Sequence, residues 1–170
     1  MKKLYIMIHM SAVSYTKNAD QFKAINNYHK SLWDFKSSLG YYVGYNYHIS
    51  SKGKTRKTRN AGTKTAACYQ GNMNDGRCIH ICLDGNFDTE KPKPAQIYAL
   101  RDLVLDLTAR LNIPKENIVT HSEYAPKTCP GINLDIQFIR NLVPGKIEEP
   151  STKTQILELL GKLTELIKKF

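Results

Sequence analysis

Cysteine is scarce in this chain and irregularly placed: four residues in 170, at positions 68, 78, 82 and 129. That pattern offers no regular disulfide framework and favours synthesis in a reducing compartment. Long apolar runs are also missing, and none approaches the roughly 20 residues of a membrane-spanning helix. The opening MKKLYIMIHMSA has the two lysines of a secretory leader, but its apolar core is short and His9 interrupts it, so a mature first strand is expected. Acidic residues are the third shortage, 15 against 25 Lys and Arg, for a net charge of +10. Such an excess suits nucleic acid, an anionic membrane surface or an acidic wall polymer. No helix-turn-helix, zinc-finger or aromatic RNA-binding motif is visible, so specific nucleic-acid binding is not expected.

What is present reads as one α/β domain, and the length suffices for a core without staples. Leu4 to Ile8 is an apolar strand that ends in His9 and Met10. Asp20 to Trp33 predicts a helix capped by Asp20, with Phe22, Ile25, Tyr28, Leu32 and Trp33 on one face. Tyr41 to Ser50 and Cys78 to Leu83 read as strands. From Pro94 to Leu111 a helix is expected, with Pro94 in its first turn and Ile97, Leu100, Val104, Leu107 and Leu111 in one stripe. Asn112 and Pro114 end it before a strand at Asn117 to Thr120. This order predicts a central mixed, largely parallel sheet flanked by helices.

After Leu142 the composition changes. Residues 143–153 carry two prolines and a glycine and read as a linker. Residues 154–170 predict an added C-terminal amphipathic helix, its stripe running from Ile156 to Phe170. Docking on the protein's own core is the favoured use of that stripe. Self-association or a partner helix is the alternative.

The residues that carry chemistry converge on the loop HSEYAPKTCPG, from His121 to Gly131. Imidazole and thiolate are the ligands zinc prefers, and a catalytic zinc site takes three protein ligands with a fourth position open. His121 and Cys129 supply two. His9, at the end of the first strand, is the candidate third, since strand ends hold side chains stiffly at the rim of a sheet. Cys78, His80 and Cys82 share a strand face at period two. Spread over about 13 Å, they are too far apart to hold one ion and read as a packed face. His29 and His48 read as structural hydrogen-bonders. Lys52, Lys54, Arg56, Lys57, Arg59 and Lys64 form a basic cluster, a solvated loop or an anion-binding face.

Several segments, taken in order, resemble the zinc-dependent N-acetylmuramoyl-L-alanine amidases, the family that includes small phage lysozymes and peptidoglycan-recognition proteins. IMIHMSA resembles the first strand with its histidine ligand, INNYHK the following helix, and VGYNYHIS the Gly-Tyr-His strand. CIHICLDGNFD resembles the central strand, and HSEYAPKTCPG the second histidine, the Pro-Lys pair and the Cys-Pro ligand. The likeness runs from about Lys3 to Leu142, which sets residues 1–142 as the catalytic domain. It implies His9, His121 and Cys129 as Zn²⁺ ligands, with Tyr47 and Lys127 as the catalytic tyrosine and lysine. Tyr47, Lys127 or Glu123 is left as the proton shuttle, with Glu123 more readily a solvated carboxylate. Two departures stand out: Ala67-Cys68 where many members have Ala-His, and His80 where relatives often have glycine.

The implied function is cleavage of the bond between N-acetylmuramic acid and L-alanine of bacterial peptidoglycan. A phage-type endolysin, made in a host cytoplasm and acting on the wall, fits the weak leader. A non-catalytic peptidoglycan-binding or regulatory module of the same fold is the alternative.

Overall fold

The structure, a computed structural model, describes residues 4–15 and 21–143, and beyond them residues 157, 160 and 164. The expected linker at 143–153 apart from Val143, nearly all of the helix at 154–170, and the Asp20 cap lie outside the described residues. Of the helix, Leu157, Leu160 and Thr164 are described as helical and exposed.

Among the described residues five strands make one sheet: β1 (Tyr5–Met10), β2 (Tyr47–Ile49), β3 (Thr55–Lys57), β4 (Cys78–Leu83) and β5 (Ile118–Thr120). Their order is β3-β2-β4-β1-β5. β2, β4, β1 and β5 run parallel, and β3 pairs antiparallel to β2 at the edge. The expected mixed, largely parallel sheet is the one observed.

Because side chains alternate across a strand, each strand has residues on both faces of the sheet. Ile6, Ile8, Met10, Tyr47, Ile49, Ile79, Ile81, Leu83 and Ile118 form the apolar face. It packs on helix α2 (Pro94–Leu111), through Leu100, Val104 and Leu107, and on α3 (Ile136–Leu142), through Ile139. The opposite face carries Met7, His9, Cys78, His80 and Cys82, with α1 (Phe22–Trp33) over its β2 side. There the Phe22 ring lies 5.3 Å from His48.

α2 has the predicted boundaries. Pro94 needs no hydrogen-bond partner in the first turn, the Gln96 side chain accepts from the Lys93 N–H at 3.1 Å, and Asn112 closes the far end in the left-handed conformation (φ 49°). α1 differs from its expected stripe. Its buried residue is His29, while Tyr28 and Leu32 are 62% and 51% exposed, so the inward face is turned toward Phe22, Ile25 and His29. The expected strand at Tyr41–Ser50 shortens to three residues because the chain bends at Asn46, whose carbonyl accepts from both Thr58 and Arg59 N–H (2.8 and 3.3 Å). One strand and one α-helix escaped the sequence reading. β3 runs through the basic cluster, and α3 is capped by Asp135, whose carboxylate accepts from Gln137 and Phe138 N–H at 2.9 and 3.0 Å.

The basic cluster divides. Lys52, Lys54, Lys57 and Lys64 are exposed. Arg59 is buried and donates to the carbonyls of Val43 (2.7 Å) and Phe35, and Arg56 stacks 3.9 Å over the Phe22 ring. Among the described residues no helix is long and apolar enough to cross a membrane.

Candidate metal centre and groove

His9 sits near the carboxyl end of β1, and His121 follows directly after β5. The register pairs Ile8 with Thr120, so the two histidines stand level on neighbouring strands. The ends of parallel strands are where such sheets build sites. Their rings lie 4.7 Å apart. Cys129 returns from the loop: Ser122 N–H donates to the Cys129 carbonyl (2.8 Å), and Cys129 Sγ accepts from Met10 N–H (3.4 Å). Gly131 lets this loop close, since it takes φ 98° and a Cβ there would lie 2.5 Å from the Phe87 backbone. One ligand atom from each of His9, His121 and Cys129 falls within 4.8 Å of the others.

Two imidazoles and a thiol are a donor set for a borderline-soft divalent ion. Cys129 Sγ and His9 Nδ1 are 3.8 Å apart, close to the separation of about 3.6 Å that tetrahedral zinc imposes on such a pair. Burial, with His80, His121 and Lys127 nearby, holds His9 well below the ordinary imidazole range, and burial lowers His121. Both therefore keep lone pairs for a metal. Burial pushes the Cys129 thiol up to about 11, opposed by Met10 N–H and Lys127. A metal ion is what would bring that thiol to the thiolate form.

The structure does not bring Tyr47 to this cluster. Tyr47 lies on the apolar face with Ile49 and Ile81, its hydroxyl directed to Arg110 of α2. Tyr45 stands by the metal-type trio instead, its ring 5.1 Å from His9. Burial, Cys82 and Cys129 raise its hydroxyl well above the usual tyrosine range. Strict alternation would put residues 45 and 47 on one face, but the bend at Asn46 separates them. The available signal was the Gly-Tyr step of VGYNYHIS, which falls at Gly44-Tyr45. Gly44 is needed there, because a Cβ would meet the Ala66 carbonyl at 2.7 Å.

Lys127 is exposed and lines a groove of about 430 Å³ with His121, Trp33, Cys68, Tyr69 and Gln70. Asn74 shapes one wall, its side-chain oxygen accepting from Ala67 and Cys68 N–H, each at 2.9 Å. Glu123 is occupied elsewhere: it accepts from Thr120 N–H (3.2 Å) and pairs with Arg140 (2.7 Å). His29 accepts from Gly44 N–H (3.0 Å) and His48 pairs with Asp84 (2.7 Å), the structural uses expected of them. His80 has more than a packing role. Its Nδ1 lies 2.9 Å from His9 Nε2 and its Nε2 lies 3.0 Å from the Met73 carbonyl.

Fold and site together define an α/β domain with a His-His-Cys centre at the strand ends beside an open groove. The chain belongs to the N-acetylmuramoyl-L-alanine amidase family, whose sequence profile matches residues 1–132. Among solved structures, N-acetylmuramoyl-L-alanine amidase LysC from Clostridium intestinale URNW is similar at TM-score 0.65 and 22% identity, over 82% of this chain and 84% of that one. Drosophila peptidoglycan recognition protein SD gives 0.65 and 22%, over 85% and 83%. Apis mellifera PGRP-SA gives 0.66 and 20%, over 81% and 82%. At these identities the likeness is one of fold. No curated protein sequence matches the chain significantly.

Proposed function

We propose that the chain is a zinc-dependent peptidoglycan hydrolase that cleaves the amide between the lactyl group of N-acetylmuramic acid and L-alanine, acting as a phage-type endolysin on the bacterial wall. The observation that carries this reading is the His9, His121 and Cys129 cluster, with Tyr45 against His9 and with His121 reaching the groove that Lys127 also lines, in a chain of this family. His9, His121 and Cys129 would hold the ion. When bound, zinc supplies a Lewis acid and lowers the pKa of a water to about 7.

The chain's own groups supply the rest. Tyr45 stays protonated, since burial raises its pKa. Its Oη, which bonds the Cys82 thiol, would exchange that partner to donate a hydrogen bond to the carbonyl oxygen as negative charge develops there. Lys127 adds a cation on the groove side and helps neutralise that charge. The proton needed by the departing L-alanine nitrogen would come from Tyr45 Oη or Lys127 Nζ. Glu123 is not used, because Arg140 and Thr120 hold it. The groove walls at Trp33 and Tyr69 offer flat surfaces to the glycopeptide. The four exposed lysines near β3 would favour the polyanionic wall, an attraction that salt weakens. Four unpaired thiols suit synthesis in a reducing cytosol.

The test is to load the purified chain with zinc, measure metal per molecule, and follow new L-alanine amino termini released from bacterial peptidoglycan. Stoichiometric zinc and released termini support the proposal. Zinc-loaded protein that binds peptidoglycan without releasing termini points to the recognition module, and released reducing sugars would show a different bond.

A further inference from the structure

His80 lies outside the proposed ligand set, yet its ring joins a ligand. The hydrogen bonds around it fix where the protons sit. A backbone carbonyl can only accept, so the contact of His80 Nε2 with Met73 O (3.0 Å) requires a hydrogen on that nitrogen. Between His80 Nδ1 and His9 Nε2, 2.9 Å apart, there is room for one hydrogen. If it belonged to His80, that ring would carry two N–H groups and be a buried cation, facing His9 with His121 and Lys127 close by. Burying such a charge beside other basic groups is costly. The hydrogen therefore belongs to His9 Nε2, and the lone pair of His9 lies on Nδ1, the atom 3.8 Å from Cys129 Sγ.

We infer that His80 is a positioning residue for the metal centre: a two-step relay, from the Met73 carbonyl through His80 to His9, holds His9 in the tautomer and orientation that present Nδ1 as ligand. Metal-binding histidines commonly need such a partner for the second ring nitrogen, and a carbonyl or carboxylate usually fills the role. Here an imidazole is interposed, so the acceptor for His9 is itself oriented by the backbone just after Asn72. That backbone belongs to the segment of Cys68 to Asn74 that walls the groove. The inference rests on the proposed ligand role of His9, but the tautomer itself does not depend on any metal being bound.

The first test is imidazole nitrogen NMR of the metal-free wild-type protein. Both His9 and His80 are expected as neutral rings protonated at Nε2, and a His9 ring protonated at Nδ1 would overturn the inference whether or not the protein is an amidase. The second is zinc affinity by chelator competition in variants. His80→Phe removes the acceptor and should weaken zinc about 10–100-fold, the range found when such partners are lost. His80→Asn keeps an oxygen near the position of Nδ1 and should restore most of that loss and the Nε2–H signal of His9. Equal zinc affinity in a folded His80→Phe, with an unchanged His9 spectrum, would refute the relay. If His80→Phe does not fold, the wild-type spectrum and His80→Asn decide. Wild-type protein that shows the predicted tautomers but binds no zinc would leave the relay standing and remove the metal reading.

Discussion

The two faces of the sheet are made by the same strands and do opposite work. In β1 the sequence YIMIHM sends Ile6, Ile8 and Met10 toward α2, and Met7 and His9 the other way. In β4, CIHICL does the same with Ile79, Ile81 and Leu83 against Cys78, His80 and Cys82. The α2 face is continuous hydrocarbon and supplies stability. The histidine face buries polar groups, each requiring a partner, and so spends packing quality on chemistry. Tyr45 and Tyr47, two residues apart, fall on different sides of this division.

Substitutions should break the comparison cleanly. Cys129→Ala on the histidine face is expected to abolish zinc retention and lower the rate of amide cleavage by about 10³-fold or more, while the thermal transition of the metal-free protein stays nearly in place. Tyr45→Phe should retain zinc and lower kcat by about 10²–10³-fold, as when one donor to a developing oxyanion is lost. Ile81→Ala, on the α2 face, should cost about 2–5 kcal/mol in denaturant unfolding and leave kcat of the folded fraction unchanged. Tyr47→Phe is the control for Tyr45: it should cost about 1 kcal/mol of stability and leave kcat intact. An inverted Tyr45 and Tyr47 result would return the catalytic role to Tyr47.

The smallest effect is in acid. His29 is buried and accepts from Gly44 N–H through Nδ1, so it must be neutral, and burial with Arg59 nearby lowers it to about 4. The unfolded chain takes up this proton near pH 6.5, so between 6.5 and 4 it binds more protons than the folded one. The stability from neutral His29 is present above pH 6.5 and declines as pH falls through 4. His29→Asn should flatten the loss of Tm between pH 7 and 5.

Much of this architecture was legible where period and punctuation agreed. Pro94 and Asn112 bracketed α2, and the β-branched runs of β1 and β4 were bounded by turn residues. The trio of His9, His121 and Cys129 was legible because each lies at a strand end or in its loop. The place of Tyr45 beside His9 was not, because alternation holds only while the strand is straight, and Asn46 bends it. Leu32 and Tyr28 looked like helix core, but the space under α1 is taken by His29 and Tyr45. The role of His80 depends on a cross-strand neighbour 71 positions away, and no local pattern in the sequence shows one.

The most direct measurement is the product analysis of a defined disaccharide-peptide fragment treated with the zinc-loaded chain in isotopically heavy water. The expected result is a free peptide with an L-alanine amino terminus and no label, and a sugar product bearing one heavy oxygen in its lactyl carboxylate. Label on the sugar's reducing carbon, or an uncut fragment that stays bound to fully metalled protein, would contradict amide hydrolysis at this centre.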